Sequence, residues 1–177
     1  MNGGKMDESV IMKAARFAQS IHVDQYRTNG DPYFVHPSRV AGMAAAYHRA
    51  TPMLVALAFL HDVVEDGPEG TTERLEKEFG PELTRMVILI SKQKYMTREV
   101  TNAKYNEVLA TAPFEVKVVK MFDRIDNLRD MKDYPMNKKL RAARETRELT
   151  KAIGDADRFL EDMMMSWVSV LEQQAKA

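Results

Sequence analysis

The chain contains no cysteine. Disulfides, thiolate zinc sites and cysteine nucleophiles are thereby excluded, and any bound metal must be held by histidine, aspartate and glutamate. An excess of either charge is missing too. The 26 lysines and arginines balance 26 aspartates and glutamates, so nothing suggests broad electrostatic binding of nucleic acid. No stretch approaches the roughly 20 apolar residues of a membrane span, and the opening "MNGGKMDESV" lacks the apolar core of a secretory signal. Together with the missing thiols, this sets the expectation of a cytoplasmic protein with no membrane or nucleic-acid partner. Aromatic residues are sparse, 8% of the chain with one tryptophan, whereas thirteen methionines are available as filler for a helical core.

Convincing strand alternation is the last absence. Nearly every segment instead repeats its apolar residues at helical period. Val10, Ile11, Ala14, Ala15, Phe17, Ala18 and Ile21 give a first helix one apolar face, predicted over about residues 7–27. "TNGDPY" (28–33) is a loop. A second helix is predicted from Pro37 to Arg49. Thr51-Pro52 supplies an N-cap and a first-turn proline for "MLVALAFLHDVVED", which is apolar almost all round and reads as the buried central helix. Thr71 or Thr72 is placed to cap a short helix ending at Gly80, and Pro81 to start the next. After a polar stretch at 92–97, helices follow near 98–111 and over "TAPFEVKVVKMFDRIDNLRDM". From Asn137 one long helix or two remain, with Gly154 as the break. At 177 residues, with no linker or repeat, the expectation is one compact all-α domain, 1–177, of about eight helices.

Four histidines are present, and their settings differ. His36 precedes Pro37 at the mouth of a helix. His61-Asp62 lies within the greasy helix, followed by Glu65 and Asp66, which share its face one turn on. Acidic residues at a helix C-terminus oppose the macrodipole, so a chemical role competes there with a solvated helix end. In "MFDRIDNLRDM", Val119, Phe122, Ile125 and Leu128 pack inward, and Asp123 and Asn127 form an i, i+4 pair. Alone, that face reads as solvated and salt-bridged with Arg124 and Arg129. Together, His36, His61, Asp62 and Asp123 make a nitrogen–oxygen ligand set from three helices, suited to a zinc, manganese or iron ion with positions left for water. His22 reads as a satisfied structural residue and His48 as a surface residue near a helix end. The basic run "NKKLRAARETRELTK" (137–151) is a solvated face unless one side lines a cleft, where Lys138 or Arg144 meets phosphates. Met163, Met164, Met165 and Trp167 pack the last helix onto the core or onto a second subunit of a homo-oligomer.

The order His, His-Asp, Asp resembles the HD-domain phosphohydrolases. More narrowly, "HVDQYRTNGDPYFVHPSRVA", "ALAFLHDVVEDG", "LEKEFGPELTRMVILISK" and "VVKMFDRIDNLRDM", with "ARET" at 143–146, resemble the hydrolase domain of RelA/SpoT-type alarmone enzymes and their small single-domain relatives, over about residues 10–150. The resemblance implies an HD-type helical bundle whose His36, His61, Asp62 and Asp123 bind manganese, or another divalent transition metal. It implies that Glu65 and Asp66 activate and steer the attacking water, that Arg27 packs on the guanine base and that Asn127 contacts substrate. The implied reaction removes the 3′-diphosphate of (p)ppGpp, giving GDP or GTP and pyrophosphate. Thr28 stands where the family often carries a basic residue, Phe122 where it carries a small one, and "GPEGTT" lengthens the turn after Glu65-Asp66. The base therefore stays open: an adenine alarmone, the 2′-phosphate of NADPH, or a nucleoside 5′-phosphate are the other substrates. A metal-free regulatory HD module is the non-enzymatic alternative.

Overall fold

The computed structural model describes residues 8–92 and 97–174. Expectations for the first seven residues and for most of the 92–97 stretch lie outside the described residues. The described residues are almost entirely helical, the only β-type pairing among them being an isolated bridge between Tyr26 and Pro32. No helix among them is long and apolar enough to cross a membrane. They group into two compact units that divide between Ser91 and Lys92.

The first unit contains α1 (Glu8–Ile21), α2 (Val35–Ala46), α3 (Pro52–Leu60), α4 (Val63–Asp66) and α5 (Thr71–Ile90). Its centre is α3, with α1, α2 and α5 packed against it. Leu54, Val55, Ala56, Leu57, Ala58 and Leu60 are all buried, as a helix apolar on every side requires. Thr51 starts it as expected, its hydroxyl accepting the Leu54 amide at 3.1 Å with Pro52 following.

Several boundaries differ from the sequence reading. The first helix stops at Ile21, not near 27, because residues 25–33 pair with themselves: Tyr33 N–H donates to Gln25 O at 2.8 Å and Arg27 N–H to Asp31 O at 2.8 Å. The second helix begins two residues early, which keeps Pro37 in its first turn, and ends at Ala46, where Tyr47 adopts extended backbone. The predicted single helix through "HDVVED" is broken at His61-Asp62, and α4 is one further turn, with Asp66 N–H on Asp62 O at 3.0 Å. After it, a Cβ on Gly67 would sit 2.2 Å from the Val63 carbonyl oxygen, so only glycine fits without a shift. Neither Thr71 nor Thr72 caps α5. Gly70 takes that place, and the Thr71 hydroxyl donates back to Pro68 O at 2.6 Å. Gly80 does interrupt α5, with φ 79° and ψ 171°, and Pro81 starts its second half.

The second unit contains α6 (Arg98–Ala110), α7 (Phe114–Arg129), α8 (Met136–Ile153), a 3₁₀ turn (Gly154–Ala156) and α9 (Arg158–Gln174). Gly154 is indeed the break in the C-terminal run. Helix α9 packs on α7 and α8, and α6 on α8. Val119, Phe122, Ile125 and Leu128 are buried as their spacing implies. Met164 is fully buried, and Trp167 packs on a cluster of Leu128, Ala142 and Leu171, so the last helix is seated on this core.

Candidate metal centre

The break between α3 and α4 is where the chemistry gathers. His61 sits just past the end of α3, and its Nδ1 lies 2.8 Å from the Ala58 carbonyl oxygen. A carbonyl only accepts, so Nδ1 carries the proton and Nε2 presents its lone pair. That nitrogen is 3.2 Å from Nε2 of His36, which α2 contributes from its first turn. Oδ2 of Asp62 stands 3.1 Å from His61 Nε2 and 3.5 Å from His36 Nε2. Both imidazoles are 1% exposed. Two ring nitrogens and a carboxylate oxygen thus converge in a buried spot where such groups are costly without a shared proton or cation. The set fits a divalent transition-metal ion, and the bond from His61 Nδ1 to a backbone carbonyl is the kind of support that orients metal-ligating histidines.

The turn that follows carries Glu65 and Asp66, both half-buried. Tyr33, at the end of the hairpin before α2, donates its hydroxyl to Asp62 Oδ2 at 2.7 Å. From the same hairpin, Gln25 donates its side-chain amide to the Asp66 backbone carbonyl at 2.9 Å. Arg27 lies further along it, its guanidinium carbon 6.0 Å from the Tyr33 ring centre. His22 is buried with Nδ1 2.7 Å from Gln25 Oε1, but its Nε2 has no hydrogen-bond partner. The reading of His22 as a satisfied structural residue therefore holds for one nitrogen only. His48 is exposed as expected, two residues beyond α2. Tyr33 and Gln25 carry no local signal of these roles. Both stand within the resembling segment, but nothing in their local spacing points at residues 29 and 41 positions away.

In the second unit, α7 buries Asp123 at 4% exposure. Its Oδ1 accepts from Asn127 Nδ2 at 2.5 Å, the expected i, i+4 pair, and its Oδ2 meets Lys120 Nζ at 2.7 Å. Asp123 is thus salt-bridged but not solvated: it is buried, and its ion pair with Lys120 lies within the same helix. Burial works against the Lys120 ammonium, but the Asp123 carboxylate, aided by Tyr105, more than reverses this and lifts its pKa well above the usual lysine range. Arg144 on α8 lines a cavity of about 440 Å³ with Lys92, Asn102, Tyr105 and Arg124. Neither Asp123 nor Asn127 lines that cavity. Arg124 Nε is buried there without a hydrogen-bond partner. Burial lowers the Lys92 pKa, and of its charged neighbours Glu145 opposes this while Lys120, Arg124 and Arg98 add to it.

Residues 14–154 match the family model described as HD domain. Over 138 residues the chain is 36% identical to a Haemophilus influenzae protein named guanosine-3′,5′-bis(diphosphate) 3′-pyrophosphohydrolase, a match covering 75% of this chain and 20% of that one. A Mycobacterium leprae protein named probable GTP pyrophosphokinase is 37% identical over 150 residues, covering 82% and 19%. The chain thus spans about a fifth of the length of these curated relatives. A solved structure reported as "A metazoan ortholog of SpoT hydrolyzes ppGpp and plays a role in starvation responses" superposes with a TM-score of 0.82, covering 93% of this chain and 96% of that one at 22% identity. That likeness is one of fold.

Proposed function

The chain belongs to the HD-domain family, and from that premise we propose that it is a metal-dependent phosphohydrolase of guanosine alarmones. It takes (p)ppGpp to GDP or GTP and pyrophosphate, as a cytoplasmic enzyme acting on a small nucleotide. One observation carries the reading: His36 Nε2, His61 Nε2 and Asp62 Oδ2 face one another at 3.1 to 3.5 Å in a buried site whose histidine tautomer is preset. The relatives' names supply the substrate class.

His36, His61 and Asp62 would hold the ion, with Asp123 as the fourth ligand. Manganese is the ion the resemblance implies. When bound, a divalent ion polarises the phosphoryl group and lowers the pKa of its water. Glu65 accepts the proton of the attacking water and Asp66 steers that water toward phosphorus. The water oxygen bonds to phosphorus as the bond from phosphorus to the ribose 3′ oxygen breaks; pyrophosphate departs, and the proton taken by Glu65 passes to the 3′ oxygen. Arg27 lays its planar guanidinium on the purine, a geometry lysine cannot reproduce, and Asn127 contacts the nucleotide. Arg144, beside Lys92 and Arg124, offers charge to phosphates.

The test is metal analysis of the purified protein, followed by assays of the chelator-stripped and Mn²⁺-reloaded forms. Pyrophosphate release from ppGpp, pppGpp and ppApp and phosphate release from NADPH are measured side by side. Metal-dependent release from the guanosine compounds is the expected result. Release from ppApp or NADPH alone would move the substrate. A loaded protein inert toward all four would leave a binding module and overturn the reading.

A further inference from the structure

Helix α4 is a single turn of four residues, with no side-chain cap at its N-terminus. So short a helix has little stability of its own, and its last carbonyls need partners from outside. Gln25 provides one, its Nε2 donating to the Asp66 carbonyl oxygen at 2.9 Å. That bond fixes the amide's orientation, because the carbonyl can only accept. Oε1 is then turned toward His22 Nδ1, 2.7 Å away, so the imidazole must carry its proton on Nδ1. His22 Nε2 is left as a buried lone pair with no partner. Burying an unpaired acceptor is costly, so the ring's place is explained by what Nδ1 does rather than by full satisfaction of both nitrogens.

The same ring lies against Tyr33, centroids 4.8 Å apart, and the Tyr33 hydroxyl donates to Asp62 Oδ2 at 2.7 Å. Tyr33 and Gln25 are joined through the backbone, Tyr33 N–H to Gln25 O at 2.8 Å. One hairpin therefore grips both ends of the Asp62–Asp66 segment, with Tyr33 at the first residue and Gln25 at the last. His22 stands behind both.

We propose that Gln25, locked by His22, is a positioning residue that holds the Glu65-Asp66 turn in register with His36, His61 and Asp62. The proposal rests on the hydrolase reading for its catalytic readout. Gln25 touches no reacting atom. It acts by fixing the backbone from which the two carboxylates project, and small misplacements of catalytic groups are expensive in rate.

The experiment compares Gln25→Met, Gln25→Glu, His22→Ala and His22→Asn in the Mn²⁺-loaded protein. Gln25→Met keeps the bulk of the side chain and removes both bonds. Gln25→Glu still accepts from His22 but cannot donate to Asp66. Each should lower kcat for pyrophosphate release about 10- to 100-fold, the range typical of supporting residues around a metal site. KM should stay within about twofold by the same reasoning, and Mn²⁺ stoichiometry should be unchanged. His22→Ala should match Gln25→Met, whereas His22→Asn, which places an N–H near the Nδ1 position, should recover most of the loss. The double variant His22→Ala/Gln25→Met should be no worse than either single change, since the two act as one unit. In metal-free protein, amide hydrogen exchange over residues 62–67 should speed up in Gln25→Met, and ¹⁵N spectra of the wild type should report the Nδ1–H tautomer at His22. Wild-type kcat and wild-type exchange in Gln25→Met would overturn the proposal, as would an Nε2–H tautomer. If the wild type released no pyrophosphate from any nucleotide, the hydrolase reading would fail, while exchange and tautomer would still judge the brace.

Discussion

Replacing Lys120 by methionine isolates the electrostatics of the second unit's buried carboxylate. Lys120 Nζ is 2.7 Å from Asp123 Oδ2, and the two side chains are 12% and 5% exposed. At an effective dielectric of 20 the gross attraction at that separation is about 6 kcal/mol. Much of it only offsets the desolvation of the two ions, and breaking such a pair typically costs about 3–5 kcal/mol, because one charge stays behind unpaired. Asp123 keeps its 2.5 Å bond from Asn127 in the variant, which favours the lower end, about 3 kcal/mol. For a chain of this size that corresponds to a fall in melting temperature of about 6–12 °C. The ammonium is held above its usual pKa by Asp123, so its contribution is complete below about pH 10.4. It is lost only as the pH climbs through the higher folded value. The deficit should therefore be constant between pH 6 and pH 9. Thermal unfolding of chelator-treated protein, followed by circular dichroism, measures it. If Asp123 is a metal ligand, saturating Mn²⁺ should raise the midpoint of the variant more than that of the wild type. A fall of less than about 2 °C in the metal-free protein, well under the cost of one broken buried pair, would refute the reasoning.

His61→Ala, Asp62→Ala and Asp123→Ala should each lose both bound metal and turnover, checked by metal analysis beside pyrophosphate release. A metal-free variant with full activity would refute the ligand assignment. Arg27→Lys should raise KM while metal content stays intact, and identical constants for every nucleotide would remove the stacking role. Glu65→Gln should keep metal and nucleotide yet lose about 10²–10⁴ in kcat, the usual worth of a general base, with Asp66→Asn milder or similar; a near-normal kcat at full occupancy would decide against it. Burial pushes the Glu145 carboxyl up, but hydrogen bonds from Arg98 at 2.6 and 3.0 Å hold it below the usual range. A depressed carboxyl contributes stability above about pH 4.3 and loses it as the pH falls through the folded value. Arg98→Ala should thus lower the urea midpoint at pH 7, and the loss should shrink as the pH falls through the folded value; a loss independent of pH would count against the pairing.

Local signals were readable from the amino-acid sequence alone wherever one residue's role depends on near neighbours. Helical period identified α3 as the buried centre and the inward face of α7. Thr51-Pro52 marked a start, and Gly80-Pro81 and Gly154 marked breaks, because capping and backbone freedom act within a few residues. The chemistry open to a metal was legible too, since a chain without cysteine can offer an ion only histidine, aspartate and glutamate. What the tertiary structure alone decided lies in bonds between distant positions. The end of α1 at Ile21 follows from the pairing of residues 25–33, and the break at His61-Asp62 interrupts a pattern that is helical by period. The grip of Tyr33 on Asp62, of Gln25 on Asp66 and of Lys120 on Asp123 leaves no trace in apolar periodicity. Periodicity records which face of an element is buried. Hydrogen bonds and ion pairs inside that burial are chosen by which side chains the packing brings within about 3 Å, and only the folded chain determines that.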